Sequence, residues 1–200
     1  KIYEVTVPMN YIAQRFPMGN RIRASISTSY WPLAWPAPES ATLTIYPAES
    51  LLILPKRKIA KRDISEKALK KPGPLDQLET TMLVPAKREW IVERNLATNK
   101  VTQKITNNDP QYRLDHINLE LRKDATENYS YNNNRYETVR GEVKGIREFR
   151  REDWKIKTIT HTILTSTTTH FLIRATLDAY EGDIRVFSRS FDESIPRNMV

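Results

Sequence analysis

His170-Phe171-Leu172-Ile173-Arg174-Ala175-Thr176-Leu177-Asp178-Ala179-Tyr180-Glu181-Gly182-Asp183-Ile184-Arg185-Val186 is the stretch that decides the fold. Phe171, Ile173, Ala175, Leu177 and Ala179 recur at every second position, which puts apolar side chains on one face of a strand and polar ones on the other. Glu181-Gly182-Asp183 then predicts a turn into a second strand at Ile184-Val186. Outward from here the same two-residue period returns at Tyr3-Val5-Val7, Ile22-Ala24-Ile26, Leu43-Ile45 and, after a turn at Pro47-Ala48-Glu49-Ser50, Leu51-Ile53. Trp90-Ile91-Val92 and Val101 to Ile105 flank Asn95-Leu96-Ala97-Thr98-Asn99-Lys100, and asparagine tolerates the left-handed backbone that a hairpin loop needs. Trp154-Ile156 and the Thr-rich run from Ile159 to Thr169 add further strands. The phase slips between Ile156 and Ile159, which predicts a β-bulge or a sandwich corner. One helix is expected, over Ile64 to Leu69, with Asp63 as N-cap and Pro72 as its stop. The expectation is an all-β chain of antiparallel sheets.

Two hundred residues can bury roughly 70% of the unfolded chain's surface, enough for one domain or two small ones. No apolar run approaches the ~18 residues of a membrane helix, so no helical span is expected. The sequence starts at Lys1-Ile2-Tyr3, already in a strand pattern and without an initiator Met or a signal peptide. The cytoplasm is favoured, with the compartment left open. With no cysteine there are no disulfides, no thiolate nucleophile and no cysteine zinc site.

Most of the formal charge of +8 sits between Pro55 and Lys71, where Lys56, Arg57, Lys58, Lys61, Arg62, Lys67, Lys70 and Lys71 face only Asp63 and Glu66. A polar run closed by Lys71-Pro72-Gly73-Pro74 reads as a solvated loop. No aromatic interleaves the bases and no recognition helix accompanies them, so no specific nucleic-acid partner is expected.

The candidate site residues are aromatic. Trp31 and Trp35 stand four apart in a loop stiffened by Pro32, Pro36 and Pro38, next to Tyr30. A rigid aromatic pair can stack on a sugar ring or wall a pocket, or it can pack as a plug at one end of the sandwich, and tryptophan asks for only one hydrogen-bond partner when buried. Packing is the preferred reading. His161 and His170 fall on neighbouring strands if a turn lies near Ser166-Thr167, yet no carboxylate is spaced to complete a metal site. Asp109, Asp115, Asp178, Asp183, Asp192 and Glu193 read as turn and strand-end residues. Ser25, Ser27 and Ser29 lie in a predicted strand with no base placed to activate them. No catalytic residue, metal or cofactor is expected in this chain.

The string Gly19-Asn20-Arg21-Ile22-Arg23-Ala24-Ser25-Ile26-Ser27-Thr28-Ser29-Tyr30-Trp31-Pro32-Leu33-Ala34-Trp35-Pro36-Ala37-Pro38-Glu39 resembles the C-terminal β-domain of the cocaine-esterase-type and X-Pro dipeptidyl-peptidase serine hydrolases. There a Gly-His-Arg-Ile-Arg strand runs into a Ser/Thr segment and an aromatic, proline-rich loop, and Asn20 here replaces the His. Thr42, Thr44 and Leu52-Ile53-Leu54-Pro55 continue the likeness. A second stretch resembles the extension of longer members: Asp153-Trp154-Lys155-Ile156-Lys157, His170-Phe171, Ala179-Tyr180-Glu181-Gly182 and Ile195-Pro196-Arg197. Residues 56 to about 140 match only loosely, and Asn132-Asn133-Asn134-Arg135 stands where members show an Asp-Pro-Leu-Ser-type segment.

The resemblance implies an antiparallel β-sandwich of jelly-roll, galactose-binding-like form. Residues 1–55 would supply its closing strands, 56–82 a basic, Pro-containing linker, and 83–200 a β-rich extension packed on it. Family members place several strands before this point, so the first sheet is expected to be incomplete, with an exposed edge. The resemblance also implies a non-catalytic role beside an upstream α/β-hydrolase domain of the same parent protein. There the β-domain shapes the substrate cleft and can join homo-oligomer contacts. The nucleophile elbow Gly-x-Ser-x-Gly occurs nowhere in this sequence. The alternative is a free-standing β-sandwich that binds carbohydrate through Trp31, Trp35 or Trp90.

Overall fold

A computed structural model describes residues 2–57, 73 and 78–198. The predicted helix over Ile64 to Leu69 and most of the basic run lie outside the described residues. No helix among the described residues is long and apolar enough to cross a membrane.

Among the described residues nine antiparallel strands form one sheet: β1 (Thr80–Val84), β2 (Lys87–Asn95), β3 (Lys100–Asn108), β4 (Gln111–Leu114), β5 (Leu119–Asn132), β6 (Arg135–Arg151), β7 (Trp154–Ser166), β8 (His170–Glu181) and β9 (Ile184–Pro196). From β5 to β9 each strand pairs with the next. The opposite side of β5 is shared, its first residues pairing with β4 and its last with β3. At about 3.4 Å per residue, the 17 residues of β6 span close to 58 Å. The all-β, antiparallel fold is therefore as expected, and the described residues arrange it as one open sheet.

The turns follow from residue chemistry. Asn133 and Asn134 both have positive φ (52° and 55°), the requirement of the two-residue turn that suits the twist of a hairpin. In the β2–β3 loop, Asn95 Oδ1 accepts the backbone N–H groups of Ala97 and Thr98 at 3.0 Å each, and Asn99 takes φ 53°. Thr167 Oγ1 accepts the N–H groups of Thr169 and His170, which closes the β7–β8 turn. Gly182, at φ 58°, makes the β8–β9 turn where Glu181-Gly182-Asp183 predicted it.

Register assigns the faces, since directly paired residues project to the same side. Tyr129, Gly141, Leu164 and Ile173 form one such row, and Glu127, Val143, Thr162, Ala175 and Phe191 another. This face also carries Leu121, Val139, Phe149, Ile156, Phe171 and Leu177 and is mainly apolar. Its reverse is laced with ion pairs: Arg122–Asp124, Arg140–Glu142, Lys155–Glu148 and Arg185–Asp178. Coverage of the apolar face is thin. The chain presents 17812 Å² to solvent, against the roughly 9,700 Å² that a compact protein of its mass presents. Among the described residues Val139 is the one buried hydrophobic side chain.

Two local expectations change. Tyr3-Val5-Val7, Ile22-Ala24-Ile26, Leu43-Ile45 and Leu51-Ile53 form no strand, and residues 2–57 hold a hydrogen-bonded turn from Pro17 to Asn20, a 3₁₀ turn at Pro47–Glu49 and an isolated bridge from Tyr30 to Ala34. Alternation yields a strand only where a neighbour takes up its N–H and C=O groups, and these segments have none among the described residues. The phase slip after Ile156 is not a bulge either. β7 pairs without a register shift on both sides, so Ile156 lies on the apolar face and Ile159 on the charged one. The irregularities fall elsewhere, at Ser130/Asn132, Ala179/Tyr180 and Met82/Val84.

Candidate functional site

At one end of the apolar face, where β5, β6, β7 and β8 run side by side, the Trp-Pro loop lies on the sheet. Ala34 donates its N–H to the Tyr30 carbonyl at 2.7 Å, and the Trp31–Pro32 peptide between them is cis. This tight reversal brings the two indoles together at 4.7 Å, edge to face. The chain then continues through Trp35-Pro36.

Each indole meets its own partner on the sheet. Trp31 stands edge-to-face against Tyr129 at 5.7 Å, and Trp35 against Phe171 at 5.8 Å. Such T-shaped pairs set the positive ring edge against the negative face of its neighbour. Gly141 lies beneath: a β-carbon there would sit 3.5 Å from the Tyr129 ring and 3.9 Å from Trp31 Cη2. The bare backbone thus makes a floor between Tyr129 and the indole. Trp35 finds the single hydrogen-bond partner that a buried indole needs: its Nε1 donates to Ser166 Oγ at 2.8 Å, and Ser166 is itself buried.

Arg197 fastens the far side of the loop. Only 2% exposed, it donates from Nη1 to the Thr167 carbonyl at 3.2 Å and from Nη2 to the Pro36 carbonyl. Its backbone N–H bonds to the Thr169 carbonyl, and its guanidinium stacks 4.7 Å above Phe171. Burial lowers the pKa of this guanidinium from its ordinary value, since the charge has left water. The Tyr129 phenol is pushed up to about 12, first by burial and then by its 2.5 Å hydrogen bond to Glu127, whose charge resists a second anion.

Of the three candidate residues the structure brings two together. Trp31 and Trp35 enter the cluster half-buried, whereas Tyr30 stays 68% exposed and contributes its backbone carbonyl to the turn. Sequence reading placed Arg197 in the closing Ile-Pro-Arg motif without a role, and it missed Tyr129, Gly141 and Ser166. Trp90, the third aromatic of the carbohydrate reading, is 72% exposed on β2 and away from this cluster.

Several of the remaining chemical candidates have structural partners. His161 sits 2.7 Å from Glu142, which also holds Arg140 and Lys144, and the Arg140 hydrogen bond is the main cause of its lowered carboxyl pKa. His170 lies on the neighbouring strand, as anticipated, but its Nδ1 pairs with Thr169 Oγ1 at 2.9 Å. No group of three metal-ligating side chains is found among the described residues. Asp109 is held below the usual carboxylate range by hydrogen bonds from Arg88 and Lys123, and Asp115 by Arg113. Ser27 donates to the Ser29 carbonyl with no base beside it. Gly141 and Gly145 have the spacing of an elbow, but Val143 stands between them in mid-strand.

Residues 1–72 match the family model described as the X-Pro dipeptidyl-peptidase C-terminal non-catalytic domain, which bears out the resemblance over that part of the chain. None of the curated proteins and none of the solved structures compared matches it.

Proposed function

Taking as premise that residues 1–72 carry the sequence of a non-catalytic C-terminal domain of the X-Pro dipeptidyl-peptidase type, we propose that the whole chain is the structural β-region of a serine hydrolase, an acyl esterase or X-Pro dipeptidyl-peptidase-like enzyme. Its partner is an α/β-hydrolase domain upstream in the same parent protein. In this reading 1–55 complete a jelly-roll begun by preceding strands, 56–82 link, and 83–200 form the extension that packs on it. That division also accounts for alternating segments in 2–57 that find no strand partner here. The parent's chemistry is acyl transfer to a serine nucleophile and then to water, assisted by an oxyanion hole. This chain supplies none of those groups. It braces the β-domain and helps shape the substrate cleft, and exposed Tyr30, which opens the Trp-Pro reversal, is a residue free to meet substrate or the hydrolase domain.

The observation that carries the proposal is the docking of the Trp-Pro loop, which lies within the matched residues, onto the sheet outside them. Both indoles are engaged within the chain. The carbohydrate-binding alternative is left with Trp90 alone, and a single exposed indole makes a poor sugar platform.

Expression of the chain with and without a matching hydrolase domain is the test. Alone it should turn over neither p-nitrophenyl esters nor Xaa-Pro anilides, because nothing in it supplies the ~8 kcal/mol of barrier lowering that even modest enzymes provide. Together they should. Turnover by the chain alone, blocked by a serine-directed phosphonate, would overturn the assignment.

A further inference from the structure

β9 closes the sheet with its outer edge unpaired. It bonds to β8 and to no other strand among the described residues. From Phe187 to Ile195 it pairs with β8 without a shift, and it contains no lysine and no proline before Pro196. Lysine and proline are two of the devices that keep an edge from adding another strand, and the charges that β9 does carry, Arg185, Arg189, Asp192 and Glu193, are of both signs. Ile184, Val186, Phe187 and Ile195 are all exposed along it.

Two-fold antiparallel pairing of identical edges allows few registers, because opposed residues must project to the same face. The two residue numbers of a pair must then sum to twice that of the central residue. Centred on Phe191, Arg189 opposes Glu193 of the other copy, Phe187 opposes Ile195, Ser188 opposes Ser194 and Ser190 opposes Asp192. Each of these pairs occurs twice about the axis, and Phe191 meets its own counterpart. Centring on Arg189, Asp192 or Glu193 instead sets a like charge against itself, and centring on Ser190 sets Phe187 against Glu193. Two other edges are unpaired among the described residues, that of β1, which is only five residues long, and that of β2. No register of β2 opposes both Glu89 and Glu93 to a base, and centring on Ile91 sets Arg88 against Arg94.

We propose that two copies of this chain associate through β9, antiparallel about Phe191, to make one continuous sheet across the dimer. The backbone groups of the edge supply the affinity, and the reciprocal Arg189–Glu193 pairs fix the register. The inference rests on the sheet and stands apart from the hydrolase reading.

Charge reversal in the 200-residue chain tests it by sedimentation equilibrium, with circular dichroism confirming the strand content of every variant. The unaltered chain should dimerise. Arg189→Glu alone, or Glu193→Arg alone, sets like charges opposite at two places and should weaken the dimer about tenfold or more. Equal amounts of the two variants mixed should form a heterodimer, since both crossed pairs are then complementary, and the double variant Arg189→Glu/Glu193→Arg should dimerise like the parent. A monomeric parent chain, single variants that dimerise as well as the parent, or failure of both rescues would each overturn the proposal.

Discussion

The indole of Trp35 donates its N–H to the hydroxyl of Ser166, 131 residues further along the chain, at 2.8 Å. This bond and the ring contacts around it tie an N-terminal segment without strands to the end of a long meander. Trp35→Phe keeps most of the ring and removes the donor, leaving the buried Ser166 hydroxyl short of a partner. It should cost about 1 kcal/mol. Trp35→Ala also removes the packing and should cost about 2 to 3 kcal/mol, at the low end for a large-to-small change because the site is half-covered. Denaturant titration followed by Trp fluorescence measures both, and a Phe variant as stable as the parent would mean that the hydrogen bond is not made.

Arg197 is buried against the same loop, so its donors matter more than its charge. Arg197→Met keeps a long stem but leaves the Pro36 and Thr167 carbonyls without these bonds. It should destabilise the chain by about 1 to 3 kcal/mol and expose the segment around Trp35 to limited proteolysis. Arg197→Lys should recover part of the loss. Unchanged proteolysis in the Met variant would show that the loop is held without Arg197.

Gly145 tests the fit of neighbouring strands. A β-carbon there would lie 2.8 Å from Thr160 Oγ1, closer than unbonded atoms stand. Gly145→Ala should therefore cost about 1 to 2 kcal/mol, and the cost should fall when Thr160→Ala removes the obstructing oxygen. Additive losses in the double variant would place the strain elsewhere.

Much of this was legible beforehand, and the gaps have physical causes. β8, β9 and the β2–β3 hairpin were readable because apolar alternation and turn residues coincide there, as at Phe171 to Ala179 before Gly182. β5 and β6 were not, because Leu119-Glu120-Leu121-Arg122-Lys123-Asp124 and Arg135 to Arg151 are dense in charge. The cross-strand and same-strand ion pairs that absorb those charges exist only once the register is set. Trp31 and Trp35 could be singled out from their proline-rich loop, and their preference for packing followed from their chemistry. Tyr129, Gly141 and Ser166 could not, since nothing local distinguishes the tyrosine, glycine and serine on which a loop a hundred residues away comes to rest. The opposite error arose at Tyr3-Val5-Val7 and Ile22-Ala24-Ile26, where alternation was clear but no partner strand lies beside it among the described residues.

A pH dependence follows from Glu142. Its carboxyl pKa in the folded chain is lowered from the ordinary 4.5, by the Arg140 hydrogen bond first and by His161 as well. A group whose pKa falls on folding stabilises the fold above its unfolded value and loses that contribution as pH drops through the folded one. Glu142→Gln should therefore be less stable than the parent at neutral pH, by up to about 1 kcal/mol for a pair this accessible. The difference should shrink as the pH falls below 4.5. Thermal melts across that range check it, and a constant difference would rule out the carboxylate as the source.

The most direct test of the account is where the two indoles rest in solution. In ¹⁵N-resolved spectra of the full chain, the Trp35 indole N–H should show nuclear Overhauser contacts to the Ser166 methylene and the Phe171 ring, Trp31 should show them to Tyr129, and added oligosaccharide should leave all of these unchanged. Indole signals at random-coil positions, without those contacts and shifting as sugar is added, would contradict the structural role assigned to the Trp-Pro loop.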